Sequence, residues 1–512
     1  MKAINSLFAG AIAAAAFLPT TAHALDTVQF VGVGSSAQFN AFALGAHTWS
    51  GASNSWTFKN GGSVTDAGTG VVQTGNIWIV WDGAAAGSRK IAVGLSVDSI
   101  VGNRAFFNSN TVKVTQAALT AGQNLVTGLT DTALPADVHD AVAGVSPYTL
   151  PVVNVGLSDI TAADAKVQSD HVIALGYNTT TNPVKDSNAS SVFPVNFNLS
   201  SRTYQTNAVG AAPVVVFVNK TQTGSGHLGA ATVKNIDRFT LAGFLNGLFG
   251  AVVDIDTTLA KPTIRTSGFG KPGTSSTQVV SFVREPLSGT YTTIEDDIVA
   301  SAEVNSTQEL NVSTNPLNET TPVYSFASPN PVGGYTIGGR VRAIGTGALV
   351  TAVGATNDSL GYSFWSFGNF NGVRATTKYL TVDGVDPFAA SPTTFNNAYP
   401  AAGSLLTFPT IANGSYPIWS LLRAITDTTP NTDVTTIIAD ATAADSSGDY
   451  LPFNSLKVFR EHRATPQVAS PANGIIPSLP EAGADAGGAV QTINSDIDFW
   501  NQTGTELLGD RQ

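Results

Sequence analysis

Residues 279–290 read VVSFVREPLSGT: an apolar, β-branched run closes on Arg284, and Ser288, Gly289 and Thr290 follow in a short turn. This order puts a guanidinium at the end of a predicted strand and two hydroxyls with a glycine at the start of a predicted helix. The chemistry suited to it is oxyanion recognition. A helix's first turn offers unpaired N–H groups and a partial positive charge, hydroxyls add donors, and arginine supplies a two-pronged charge-assisted bond. Small-residue turns also follow three other apolar runs: Ser36 after QFVGVGS, GAAAGS (83–88) after NIWIVWD, and Asp159 after PVVNVGLS. Singly, each is bland. A Ser-Gly-Thr turn is ordinarily an N-cap, a strand-end arginine a surface ion pair, and Asp159 a helix cap.

The elements that must position these residues alternate in type. APVVVFVNK (212–220) is continuous and β-branched, as a strand buried on both faces should be. Residues 232–250 carry Ile236, Phe239, Leu241, Phe244, Leu245 and Leu248 near helical spacing, and 359–370 and 413–426 are aromatic, apolar strand candidates. Strands alternating with helices predict an α/β architecture with mixed, mostly parallel sheets, in which ligands sit at the carboxyl ends of strands. The Gly32-x-Gly34 pair lacks the third glycine of a dinucleotide fingerprint, Ala37 standing in its place. Residues 90–150 show no clear long helix, and 464–490 read as extended Pro/Gly/Ala-rich chain.

Composition limits the partners. With 43% hydrophobic and 12% charged residues over 512 positions, the chain is globular and long enough for two or three domains. Its 25 Lys+Arg against 36 Asp+Glu, net −11, argue against nucleic acid or another polyanion as a general partner, though not against one small anion held by local dipoles. Lys2, the apolar stretch 7–19 and Ala22-His23-Ala24 predict a signal peptide over 1–24, with the mature chain starting at Leu25. No later run reaches the ~18 apolar residues of a membrane span, so an integral membrane protein is not expected. The absence of cysteine excludes disulfides, thiolate metal sites and a lipid-bearing cysteine. The expected location is periplasmic or secreted.

Taken in order, these segments resemble the phosphate-specific solute-binding proteins of bacterial ABC importers. GVGSSAQFNAF is similar to that family's Gly-Ala-Gly-Ala-Thr/Ser-Phe-Pro segment, VGLSDITAAD to its Phe-Gly-Ala-Ser-Asp-x-Pro-Leu motif, and REPLSGT to its Arg-x-x-x-Ser-Gly-Thr. Sparser matches follow in APVVVFVNK, FTLAGFLNGLFG, SLGYSFW and YPIWS, so the resemblance spans about 30–425. It implies a two-lobed type II periplasmic binding protein fold, with a hinge between lobes. It also implies a phosphate site made by Ser36, the N–H of Ala37, Asp159, Arg284, Ser288, Gly289 and Thr290. The family's second-turn serine falls on Ala86, or on Ser88 if the register shifts. Ala37 and Gln38 replace the family's Phe and Pro, and GAAAGS replaces its Gly-Ser-Gly-Gly loop.

The implied organisation is lobe 1 over 25–220 and 416–470 with an insertion at about 90–150, lobe 2 over 221–415, and a C-terminal extension over 471–512. The two lobes would close on one dehydrated monohydrogen phosphate, with no cofactor and no metal, and an ABC importer permease would be a partner. Asp159 would accept the anion's proton and so reject sulfate. Two alternatives stay open. The fold could serve a secreted or surface protein in a structural, adhesive or scavenging role. An enzyme such as a phosphatase fits less well, because His139-Asp140 and the GSGH ending at His227 lack partners and no HExxH or G-x-S-x-G occurs.

Overall fold

β1 (Thr27–Ser35) and α1 (Phe39–Trp49) open a βα unit, and a long antiparallel hairpin follows, β2 (Asn54–Thr65) with β3 (Val72–Trp81). β3 turns back antiparallel into β4 (Lys90–Val97), which lies parallel to β1 and leads into α2 (Ser99–Phe107). β5 (Thr111–Val114) edges the hairpin, α3 (Ala136–Ala143) follows, and β6 (Val155–Ser158) with α4 (Ala162–Ala174) completes the parallel set. β4 is buried from Ile91 to Val97 and β6 throughout, which is why both read as unbroken apolar runs. β1 lies between β4 and β6, with α1 packed on β3 and β4 and α2 on β1 and β6.

The computed structural model describes residues 25–51, 54–117, 119–174, 196–224, 226–247, 252–256, 263–266, 278–299, 308, 317, 319–324, 338–388, 398–401, 404, 406–443, 448–456, 458–460 and 490–492. The expected signal segment, Leu248 and nearly all of the expected C-terminal extension lie outside them. Among the described residues no helix is long and apolar enough to cross a membrane.

β7 (Tyr204–Asn219) is the strand that joins the two halves. Its residues 204–213 pair with β17 (Trp419–Asp427), and its residues 214–218 pair with β14 (Ser359–Phe364). One half of the sheet then runs β5-β2-β3-β4-β1-β6-β17-β7, and the other runs β7-β14-β11-β13-β12. The second half contains β11 (Val280–Arg284), β12 (Val323–Tyr324) and β13 (Gly339–Ala343), with α5 (Arg238–Leu245), α6 (Gly289–Ile294) and α7 (Thr346–Ala355). A small four-stranded sheet, β8 (Asn235–Ile236), β9 (Val252–Asp256), β10 (Thr263–Thr266) and β16 (Thr381–Val382), belongs to the same half. In each half the strand order is second, first, third, then an antiparallel strand shared with or returning from the other half. That is a two-lobed α/β structure of the type II periplasmic binding kind; its sheets are mixed and not mostly parallel as expected, because the parallel trios β4-β1-β6 and β13-β11-β14 are each flanked by antiparallel strands. α8 (Thr432–Ala443) closes lobe 1 against α1.

Three local expectations change. Residues 90–150 are not one helix-free insertion, since β4 and α2 lie at the centre of lobe 1; the added layer is β2, β3 and β5, which antiparallel pairing attaches to β4's free edge. The predicted helix over 232–250 shortens to α5, because Ile236 pairs in β8 and Asp237 caps the helix by accepting the Thr240 N–H at 2.8 Å. Phe239, placed on the predicted apolar face, is 52% exposed.

Candidate functional site

Four strands end at the seam between the lobes: β1, β4 and β6 from lobe 1 and β11 from lobe 2. β11 ends on Arg284, 2% exposed, and its guanidinium is held from four sides. Nε donates to Glu285 Oε2 at 2.9 Å, Nη2 to Glu285 Oε1 at 2.8 Å and to Asp98 Oδ1 at 3.1 Å, and Nη1 to Thr346 Oγ1 at 2.6 Å. Burial works against the charge, but Glu285 and Asp98 outweigh it and hold the pKa above the usual arginine value. Glu285 Oε2 also accepts the Gly345 N–H at 3.0 Å, which ties the pair to the start of α7. Tyr362 Oη accepts the Arg284 N–H at 3.1 Å, and its phenol is kept protonated by burial.

α6 starts one turn of chain beyond Arg284, the Ser288 N–H donating to Glu285 O at 3.1 Å. Ser288 is its N-cap residue by backbone angles (φ −79°, ψ 132°), yet its hydroxyl makes no cap hydrogen bond. Ser288 and Thr290 are both 2% exposed. Gly289 meets the other lobe directly: a Cβ built on it would stand 1.9 Å from Asp159 Oδ1 and 2.7 Å from Ser99 Oγ. Only glycine permits that approach. Asp159, 2% exposed, follows β6; Ser99 Oγ accepts its N–H at 3.3 Å, and its carbonyl accepts the Ser420 hydroxyl.

The structure therefore brings Asp159, Arg284, Ser288, Gly289 and Thr290 to one buried seam. Ser36 and Ala37 sit at the end of β1, but Ser36 is exposed and the Ala37 N–H is taken by Ser35 Oγ at 3.2 Å. Ser35, 4% exposed, is the serine that points inward. Ser88 is not brought there. β3 and β4 are antiparallel, so the GAAAGS turn joins them at the start of β4, one strand length from the seam, roughly 25 Å at ~3.3 Å per residue. Ser88 is exposed and its hydroxyl donates to Ala85 O at 2.8 Å. The resemblance places the family's second-turn serine in GAAAGS, but NIWIVW is one arm of a hairpin, so the turn after it faces away from the seam.

The second βα turn is instead VGLSVDSI, and it contributes Asp98 and Ser99, 3% and 1% exposed. The signal for them was present: a wholly apolar run, then Asp-Ser at the head of SIVGNRAFF, a helix-start pair. Glu285 was equally visible, but nothing in its type says that it grips its own neighbour. Electrostatically, two carboxylates (Asp98 and Glu285) hold the one guanidinium, and a third, Asp159, faces Gly289. The seam is rich in acceptors and not a basic pocket, so a fully deprotonated anion would meet repulsion, whereas an anion carrying a proton could donate one hydrogen bond.

No family model matches the chain, and no curated protein does. Among solved structures it is similar to a high affinity periplasmic phosphate-binding protein (PfluDING) bound with phosphate, at 13% identity and TM-score 0.34 over 83% of this chain and 90% of that one. A phosphate-binding protein from Stenotrophomonas maltophilia gives 12% identity and TM-score 0.33 over 84% and 92%. An ABC-type phosphate transport receptor from Vibrio cholerae gives 12% and 0.27 over 50% and 76%. Likeness of that size leaves the fold resting on the strand order described above.

Proposed function

We propose that this protein is an exported, non-catalytic binding protein that captures monohydrogen phosphate at the seam between its lobes and delivers it for uptake to an ABC importer permease. The observation that carries this reading is the meeting of Asp159 with Gly289, at the head of α6 and beside Arg284, across two lobes joined by β7. Ser99, Ser288, Thr290 and the first N–H groups of α6 would donate to phosphate oxygens, and Arg284 would add its charge. Asp159 would accept the one proton that monohydrogen phosphate carries and sulfate lacks. In the arrangement described, Asp159 packs on Gly289, so an anion enters only when the lobes part. Arg284 then exchanges Asp98 for the ligand.

A second reading draws on a specific observation. Asp98 and Glu285 already satisfy Arg284, and Ile100 N–H to Leu287 O (3.3 Å) and Gln168 Nε2 to Pro286 O (3.2 Å) add lobe-to-lobe bonds. A seam so latched would suit a structural or adhesive surface protein that keeps the fold and has given up the anion. Titration calorimetry of phosphate-stripped protein separates the two. Phosphate binding that is micromolar or tighter, with no sulfate heat, is expected of the receptor. A folded sample silent to both anions would select the latched module.

A further inference from the structure

Lobe 2 has a second concentration of charge at the end of its sheet away from the seam. β7 ends at Asn219, and Lys220 follows; the Lys220 N–H donates to Thr376 O at 2.8 Å. β15 (Thr377–Tyr379) pairs with the same end of β7, Lys378 opposite Val218. Lys234 stands at the entry to β8, its carbonyl accepting the Thr381 N–H at 3.0 Å. Backbone pairing thus collects three lysines from three segments. Each of two ammonium groups is anchored by one carbonyl, Lys220 Nζ on Arg374 O at 2.7 Å and Lys378 Nζ on Ala230 O at 2.6 Å.

Among the described residues no carboxylate pairs with any of the three. A carboxylate at this end of the sheet, Asp358, is occupied by His227 Nδ1 at 2.8 Å and the Leu228 N–H at 3.0 Å. Lys378 is only 6% exposed, and an ammonium has three N–H donors. Burial first, then the charges of Lys220 and Lys234, push its pKa down to about 8. In a chain of net −11, where Arg89, Lys90, Arg202 and Arg284 each have an acidic partner, two further cations beside a nearly buried amine call for an anion.

We propose that Lys220, Lys234 and Lys378 form a second anion site at the outer end of lobe 2, taking a soluble diphosphate-type anion. Lysine serves phosphate as a compact point charge on a flexible stem. Three such charges match a diphosphate better than a single dianion, and the neighbouring residues 221–224 are exposed. The site is separate from the seam by the five residues of β11, about 17 Å, and does not depend on the phosphate reading.

The test is calorimetric titration of the full chain with pyrophosphate, against sulfate at matched ionic strength. One pyrophosphate site is expected, weakened at least tenfold by Lys378→Met and by Lys220→Gln. Lys59→Gln, an exposed lysine on lobe 1, should leave it unaltered. If Lys378→Met does not fold, Lys220→Gln, at a half-buried position, decides. Absence of pyrophosphate heat, equal binding of sulfate, or equal weakening by Lys59→Gln would overturn the proposal. A protein that failed to bind phosphate at the seam would still show the lysine-dependent pyrophosphate heat.

Discussion

Asp159 is where a single atom type decides the chemistry of the seam. A carboxylate is an acceptor only, and it sits where the head of α6 presents donors. On the proposed reading, the pairing would reward an anion that brings its own proton and penalise one that opposes acceptor to acceptor. Replacing Asp159 by asparagine keeps the shape but provides an N–H in place of an acceptor. Phosphate should bind about tenfold or more weaker, since a hydrogen bond to a charged group contributes roughly 1.5–3 kcal/mol, and sulfate binding should appear. Competition between the two anions in Asp159→Asn reads this directly, and unchanged selectivity would remove Asp159 from the role. Asp159, Arg284, Ser288, Gly289 and Thr290 were legible because each lies within a few residues of a strand end, where local order dictates direction. The expectation at Ser36 differs from the structure because β1 ends at Ser35 and Ser36 opens a 3-10 turn that leaves it exposed, a backbone course no residue type announces.

At the scale of elements, the β2–β3 hairpin is what altered the reading of lobe 1. Its turn is closed by Asp66, whose Oδ1 accepts the Gly68 N–H at 3.0 Å and the Thr69 N–H and hydroxyl, both at 2.9 Å. Oδ2 accepts from Asn110 Nδ2 at 3.3 Å and lies 3.6 Å from Arg104 Nε, so the turn is fastened to α2 and β5. Burial pushes the Asp66 pKa up, but the Thr69 N–H and Arg104 outweigh it and leave it below the ordinary value. A folded-state pKa below the unfolded one contributes stability above the unfolded value, lost as pH falls through the folded one. The difference in unfolding free energy between the natural chain and Asp66→Asn should therefore be level at neutral pH and shrink below about pH 4. Urea melts from pH 7 to 3 check it; a difference independent of pH would count against the turn's ionic contribution. The apolar run at 76–81 signals a strand, but nothing local signals its antiparallel partner at 54–65. A parallel strand and one arm of a hairpin can share the same residue pattern, so the likeness of GAAAGS to the family's loop does not carry Ser88 to the seam.

Across the whole molecule, the lobes are joined twice over: covalently along β7 and the return into β17, and through the buried Arg284 with Asp98 and Glu285. A buried ion group stabilises little against an apolar substitute, but losing one member strands the others. Arg284→Met leaves two carboxylates buried without their cation, and the expected cost is about 3–5 kcal/mol. Denaturant unfolding measures that cost, and small-angle scattering should report a larger radius as the lobes separate. Native stability with unchanged dimensions would show that β7 and apolar contacts alone hold the closed form. Such a result would also weaken the latched-module reading.

Residue order alone determined the α/β class, the strand-to-helix turns and the Arg-x-x-x-Ser-Gly-Thr group, because these depend on short-range periodicity and on backbone groups a few residues apart. Tertiary structure decided the rest. It chose VGLSVDSI over GAAAGS as the second turn, set Asp98 and Glu285 upon Arg284, and gathered Lys220, Lys234 and Lys378. Those outcomes depend on which strands pair and in which direction. Pairing is settled by apolar surfaces and hydrogen-bond registers far apart in the chain, and no local window of sequence contains them.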